Sequence, residues 1–314
     1  MTPEVFAEWL RRQGHKVLKT ECSYWYDQGP GVLQAFPYHW EISPSESEIR
    51  DLLVRKRWMG LRYSTSLTSP YGALSYHAVL EAHSYSIDDL GKWARKNVRR
   101  GLKRCRVEPV SFDRLADEGW GLQLDTLARQ GRQVRLEREI WSLRCLAARD
   151  LPGFDAWGAM VDERLAASVI SFQMEDCGYL LYQQSQREYL VDFVNNALAF
   201  VVTQHLLGLP GIKRILYGLH SLDAPASIDE FKFRMGYTAK AVRQRVVFHP
   251  WIAPAFNPGT HALLKEALRL FPGHPVIAKS EGMLRFYLQG KHPLEHQPLP
   301  PGLSREARSY FDER

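Results

Sequence analysis

The chain has 314 residues, 45% of them apolar and 24% charged, with 41 basic side chains against 35 acidic ones. This composition excludes a disordered chain, a collagen-like chain and a small disulfide scaffold, and the length suggests about two domains. A membrane-spanning helix needs roughly 20 mainly apolar residues, and the most apolar run, Phe193 to Val202, is broken by Asn195 and Asn196 and closed by Thr203, Gln204 and His205.

In chain order, the N-terminal MTPEVFAEWLRRQG has an early acidic residue and no apolar h-region, so a signal peptide is not expected. Val5, Phe6, Trp9 and Leu10 recur at helical spacing and predict a short amphipathic helix over 3–13. Strands are predicted over 17–18, 31–36, 61–63 and 76–82. A helix is predicted near 45–56 and a turn over 27–31, where the sequence reads DQGPG.

The next segment carries the charge. From Lys92 to Arg106 stand Lys92, Arg95, Lys96, Arg99, Arg100, Lys103, Arg104 and Arg106 with no acid between them, and the rest of the chain holds 33 basic and 35 acidic residues. A near-neutral body therefore bears one basic element, which attracts phosphates or other polyanions. Ser86 and Asp89 form a capping-box-like start to its helix. Ile87, Leu90, Ala94, Val98 and Leu102 form a stripe predicted to be buried, while Lys92, Lys96, Arg99 and Lys103 form a basic stripe on another face.

Further on, the pattern predicts a strand over 106–112, a helix over 115–130, and strands over 157–162, 165–174 and 178–185 joined as hairpins. Asp192 is expected to cap an apolar helix over 193–207, stopped by Gly208 and Pro210. A strand over 213–217 follows, expected to pair in parallel. Next come a helix over 227–235 with Ser227 and Glu230 as its capping box, and a long strand over 237–248. Short helices are predicted over 261–270 and 276–289, then a partly ordered tail over 292–314.

Cys22, Cys105, Cys145 and Cys177 are scattered and form no metal-binding pair. They read as reduced thiols of a cytoplasmic protein, without a disulfide framework. No metal site is expected. His292 and His296 stand four apart, but the neighbouring prolines argue against a shared helix.

Two stretches carry a family resemblance. They are Ala94-Arg-Lys-Asn-Val-Arg-Arg-Gly-Leu-Lys103, and Leu222-Asp-Ala-Pro-Ala-Ser-Ile-Asp-Glu-Phe-Lys-Phe-Arg-Met-Gly-Tyr237. With the strand and helix order, they resemble the GNAT acyltransferase superfamily, and more specifically its FemAB-like branch of tandem GNAT-type domains. The resemblance covers about 85–248 and extends weakly over 1–84. It implies an α/β fold of two GNAT-like lobes with mixed, mainly antiparallel sheets, the second lobe the better formed. The expected division is a degenerate lobe over 1–84, a basic linking helix over 85–105, an acyltransferase domain over 106–249 and a helical, proline-rich extension over 250–314.

The same resemblance implies transfer of an acyl or aminoacyl group to an amine. Such chemistry needs a base for the amine proton, donors aimed at the oxyanion, and a proton or charge for the leaving group. Many GNAT enzymes place a tyrosine four residues before the glycine of a Gly-Phe or Gly-Tyr ending. Counted back from Gly236 that position is Lys232, expected to supply a fixed positive charge, with Phe231 shaping the pocket. His220, Asp223 and Glu230 are candidate bases, His220 having the most suitable intrinsic pKa. Tyr217, Tyr182 and Arg187 are expected to line the substrate channel.

The usual R/Q-x-x-G-x-G/A loop of acetyl-CoA-binding members is absent. Residues 185–196 contain Gln186 and Arg187 but no glycine, and Asp192 would repel a phosphate at the helix start. The donor is therefore expected to be acyl-CoA or, through Lys96, Arg99, Arg100 and Lys103, aminoacyl-tRNA. No tightly bound cofactor is expected. The acceptor bears an amine, and a monomer is the simpler expectation. The rival readings are a non-catalytic nucleic-acid-binding module and a scaffold on a GNAT fold that binds partners through its proline-rich tail.

Overall fold

The computed structural model describes residues 1–29, 31–132, 137–222 and 226–303, the side chains of 226 and 227 excepted. It divides into two compact units, each assembled from alternating stretches of chain. The first comprises Met1–Gly14, Ala78–Gly218 and Ser227–Thr238. The second comprises His15–His77, Leu219–Ala226 and the described residues from Ala239 onward.

In the first unit, β7 (Phe154–Val161), β8 (Arg164–Met174) and β9 (Cys177–Ser185) form an antiparallel meander joined by the expected hairpins. β6 (Arg106–Val110) adds antiparallel to β7. β10 (Arg214–Leu219) lies parallel to β9 in the order β10-β9-β8-β7-β6. A parallel neighbour needs a crossover connection, which α6 (Val194–Leu207) supplies. Helix α6 is apolar on most sides. It buries Ala197, Leu198, Phe200, Val202 and Leu206 in a core with Trp157, Val169, Leu180 and Ile215. The first helix, α1 (Pro3–Arg12), buries Phe6 and Trp9 against the stacked rings of Phe154 and Phe172.

Several expectations need correction here. Helix α4 (Phe112–Arg129) starts earlier than expected, because the Ser111 hydroxyl caps the Arg114 N–H at 3.1 Å and ends β6 at Val110. A further helix, α5 (Arg138–Leu146), was not predicted. Its Trp141 is fully buried, donates to the Leu115 carbonyl at 3.1 Å and packs over Gly119, where a Cβ would stand 2.8 Å from its ring. Asp192 is not a cap. It ends a short turn, and Phe193, in the left-handed region at φ 56°, takes the N-cap position of α6 without a side-chain bond.

The basic helix α3 spans Lys92–Arg104, later than the Ser86 start. The Asp89 carboxylate accepts from the Ser86 N–H and hydroxyl and caps only a single turn over Ile87–Asp89. Leu90, Ala94 and Val98 are buried as expected, but Leu102 is 41% exposed and Gly101 takes the buried place. At Gly101 the two helices touch, since an added Cβ would stand 2.7 Å from the Phe193 carbonyl and 3.0 Å from Ala197 Cβ. Gly101→Val should therefore destabilise the first unit by about 1–3 kcal/mol through overpacking against backbone. Urea unfolding measures this, and an unchanged midpoint would refute the close approach.

In the second unit the strand order is β1 (Val17–Lys19), β2 (Tyr24–Gly29), β3 (Val32–Phe36), β4 (Gly60–Thr65), β11 (Thr238–Phe248), then β5 (Ala73–Glu81). β3 and β4 pair in parallel, and β4 and β11 antiparallel. The turn expected over 27–31 is displaced, because Asp27 to Gly29 belong to β2, with a bulge in its pairing to β3. Tyr24, Trp25 and Tyr26 favour a strand strongly enough to extend it into the polar residues.

Ser45 caps α2 (Glu46–Arg50), which runs on into a π-helical turn over Asp51–Arg55. Ile49, Leu52 and Leu53 close over Trp25, Leu33, Leu61 and Tyr63. The last helices are α8 (Pro258–Leu270) and α9 (Pro275–Gln289). α9 buries Met283 and Phe286 against Ala73, Leu222 and Val246. Residues 304–314 of the expected tail lie outside the described residues, and among those described no helix is long and apolar enough to cross a membrane.

Candidate active site

The pairing of β10 with β9 covers Arg214↔Cys177, Ile215↔Gly178 and Leu216↔Tyr179 and goes no further. Beyond it, side chains bridge the two strands. The Tyr217 hydroxyl donates to Gln183 Oε1, and Gln183 Nε2 reaches Asn195 Oδ1 at 3.3 Å at the start of α6. Asn195 Nδ2 then donates to Ser185 Oγ at 2.9 Å, which also accepts from Arg129 at 2.9 Å. Burial pushes the Tyr217 phenol well above its ordinary value, so it stays a neutral donor.

Helix α7 (Ala226–Arg234) delivers a cation to this place. Lys232 is only 8% exposed, its Nζ lies 2.7 Å from Asp229 Oδ1 one turn back, and it stands 5.6 Å above the Tyr217 ring. Beside the ammonium the backbone of Gly218 stands at φ 137°, a conformation that L side chains rarely adopt. The last turn of α7 is fixed by the Tyr85 hydroxyl, which donates to the Met235 carbonyl at 2.6 Å, and by Gly236 at φ 91°. A buried ammonium costs several kcal/mol of desolvation unless paired, and Asp229 supplies the pairing carboxylate and fixes the direction of the Lys232 side chain. Such a pair can present a fixed positive charge to an oxyanion or a leaving oxygen.

The structure brings Lys232, Tyr217 and Phe231 together, Phe231 meeting the Tyr217 ring edge-on at 6.5 Å. Tyr182 stands elsewhere. It shares the other face of β9 with Gln184, packs on Trp9 and lies under the Arg144 guanidinium at 4.2 Å. Arg187 is exposed on the turn before α6, where its backbone N–H donates to the Asp125 carboxylate. Glu230 is exposed and pairs with Arg234 at 3.4 Å.

His220 belongs to the second unit. It stacks on Tyr76 at 4.6 Å with its Nδ1 3.3 Å from Ser75 Oγ. Asp223 and the Ser227 side chain lie outside the described residues. Asp229 went unnoticed in the sequence, although its i, i+3 spacing to Lys232 was a usable signal. Gln183 and Asn195 gave none, since only the fold places them side by side.

Helix α3 packs beside the first turn of α6. Gly101 of α3 packs on the Phe193 carbonyl, and the Arg100 guanidinium lies 4.5 Å over the Phe193 ring. The outer side of α3 is different. Arg95 and Arg99 approach Asp88 at 3.7 Å, whereas Lys92, Lys96, Lys103 and Arg104 are exposed and have no ion-pair partner among the described residues. No group of three or more His, Cys, Asp or Glu side chains among the described residues is placed to hold a metal ion.

No protein-family model and no curated protein sequence matches the chain. Solved structures do. FemX superposes with a TM-score of 0.55 at 9% identity, over 79% of this chain and 92% of that one. L-PGS from Bacillus licheniformis gives 0.52 at 12% identity, over 81% and 93%. The C-terminal domain (DUF2156) of a protein assigned as a lysylphosphatidylglycerol synthetase from Agrobacterium fabrum gives 0.50 at 12%, over 77% and 87%.

Proposed function

We propose, taking the GNAT/FemAB-like fold as premise, that the chain is an N-acyltransferase that moves an aminoacyl group from aminoacyl-tRNA to an amine. The observation that carries this reading is the buried Lys232–Asp229 pair beside Tyr217, where β9 and β10 part. A neutral amine adds to the donor carbonyl, forming the C–N bond and an oxyanion. The Lys232 ammonium stabilises that oxyanion. Collapse expels the ribose oxygen and restores the carbonyl. The proton released by the amine passes to a base, and the leaving oxygen takes up a proton.

Three observations favour aminoacyl-tRNA over a CoA ester. The glycine loop is missing, Asp192 stands just before α6 with a like charge to phosphate, and α3 exposes Lys92, Lys96, Lys103 and Arg104 without carboxylate partners among the described residues. The likeness in fold to FemX and to the lysylphosphatidylglycerol synthetase domain accords with such a reading. Acyl-CoA remains the second donor, favoured only by the fold.

Titration with CoA, acetyl-CoA, long-chain acyl-CoA and aminoacyl-tRNA at low and physiological salt tests the donor. We expect binding of aminoacyl-tRNA that weakens steeply with salt. Replacing Arg99 and Lys103 by glutamine should flatten the log–log salt slope by about 1 for each phosphate no longer neutralised. Saturable binding of CoA esters alone would overturn the tRNA reading. RNA binding without transfer to any amine would make the chain a binding module, and binding of neither donor would favour a scaffold.

A further inference from the structure

Away from Lys232, a cleft of about 160 Å³ lies wholly within the second unit, lined by Tyr71, Gly72, Arg245, Phe286, Tyr287 and Lys291 among others. Its floor is made by two glycines. The Gly72 N–H donates to the Gly290 carbonyl at 3.0 Å, and a Cβ on Gly290 would come within 2.8 Å of the Gly72 backbone. This contact brings the end of α9 against the start of β5 and leaves the cleft above it open.

The walls pair cations with rings. The Arg245 guanidinium lies 5.1 Å from the centre of the Tyr71 ring, and Lys291 Nζ lies 3.9 Å from the centre of the Tyr287 ring. Tyr71 is 52% exposed, more than a tyrosine packed for stability needs to be. Lys291 has no ion-pair partner among the described residues. Arg245 has one carboxylate, Glu46, at 3.2 Å, and Glu46 is itself 80% exposed. Arg243, two residues before Arg245, is 4% exposed and lies under the floor, where its Nε donates to the Gly72 carbonyl at 2.8 Å. The cleft is thus lined by two cations, Arg245 and Lys291, and among the described residues only Arg245 is ion-paired, to a solvated carboxylate.

A cleft this small falls below the roughly 300–1,000 Å³ of sites for drug-sized ligands. It takes one planar ring system, with any charged group at the rim. Tyrosine faces accept a base by stacking, and Arg and Lys accept phosphate oxygens. We propose that this cleft binds a mononucleotide, its base against Tyr71 and Tyr287 and its phosphate at Arg245 and Lys291. The site is independent of the acyl-transfer reading.

AMP titrated into the full chain, followed by calorimetry, tests the assignment. Saturable binding with a Kd below about 1 mM is expected. Adenosine alone and inorganic phosphate alone should each bind more weakly. Lys291→Gln and Tyr71→Ala change exposed side chains, so both variants should fold, and each should weaken AMP roughly tenfold or more. Glu46→Gln frees Arg245 and should tighten AMP. No saturable binding by the wild type would overturn the proposal, as would equal affinity in Lys291→Gln and Tyr71→Ala. So would a short RNA that binds where AMP does not, which would make the cleft an RNA contact. None of these results depends on whether Lys232 supports acyl transfer.

Discussion

Lys232→Met should lower turnover roughly 100- to 1,000-fold, the size of effect seen when one oxyanion stabiliser is removed. Substrate affinity should change little, since in the proposed reaction the charge acts on an oxygen that becomes anionic only as the amine adds. Folding complicates the measurement. Lys232 and Asp229 are both about nine-tenths buried and 2.7 Å apart, and breaking a buried pair from one side costs about 3–5 kcal/mol. A loss of activity in the single variant could then report unfolding. Asp229→Asn combined with Lys232→Met removes both charges and should recover most of the missing stability without recovering turnover. Lys232→Arg keeps the charge but not its position and should retain a fraction of the activity. A double variant that regains turnover would remove Lys232 from the chemistry, and Asp229 with it.

The distinction between these variants also shows why the site was only half legible in the sequence. Lys232 was singled out by the family resemblance, counted back from Gly236, and the helix and strand on either side of that glycine formed where expected. The meander, the crossover helix and the parallel pairing of β10 also follow from local periodicity and strand connection rules. Side-chain direction was harder. Tyr182 and Gln183 are adjacent in β9, yet one faces Trp9 and the other Tyr217. Simple alternation from Leu180 would place Tyr182 on the Tyr217 side, but a bulge at Tyr182, which stands at φ 52°, turns its ring to the opposite face.

Helix α5 was missed for a related reason. Its Trp141 is the part that matters, and Trp141 gains its place from Leu115 and Gly119 of α4 rather than from any repeat in its own segment. In the same way Gly101 reads as a helix weakener in sequence, whereas in the structure it is the point at which α3 can touch α6. Tertiary contact, not propensity, decided these positions.

Acid should destabilise the second unit through His77, a residue that no sequence pattern distinguished. It is 2% exposed, and burial, with Lys240, His39 and Arg62 adding positive charge nearby, pulls its pKa down to about 3 from the ordinary 6.5. Its neighbours explain why the neutral form is required. Arg62 Nε donates to Gln244 Oε1 at 3.0 Å, Gln244 Nε2 donates to Ser64 Oγ at 2.7 Å, and Ser64 Oγ lies 2.8 Å from His77 Nε2, to which its hydroxyl donates in the neutral tautomer protonated at Nδ1. The chain of donors runs one way and ends on an unprotonated nitrogen. A proton there would leave Ser64 without an acceptor and set a second cation in the network of Arg62.

The folded state therefore refuses a proton that the unfolded chain accepts below pH 6.5. The stability from neutral His77 is complete above that pH and drains away as pH falls towards 3. Each pH unit removes about 1.4 kcal/mol, so roughly 3 kcal/mol is gone by about pH 4.5. That is a large share of the 5–15 kcal/mol by which domains are usually stable. Urea unfolding of the wild type and of His77→Gln at pH 7.5, 6 and about 4.5 separates this effect from general acid denaturation. Glutamine keeps an acceptor for Ser64 but does not titrate. It should cost stability at pH 7.5 and show a shallower fall below 6.5 than the wild type. Parallel pH profiles for the two proteins would mean that the acid sensitivity arises elsewhere and that the Ser64 bond does not end on a neutral imidazole.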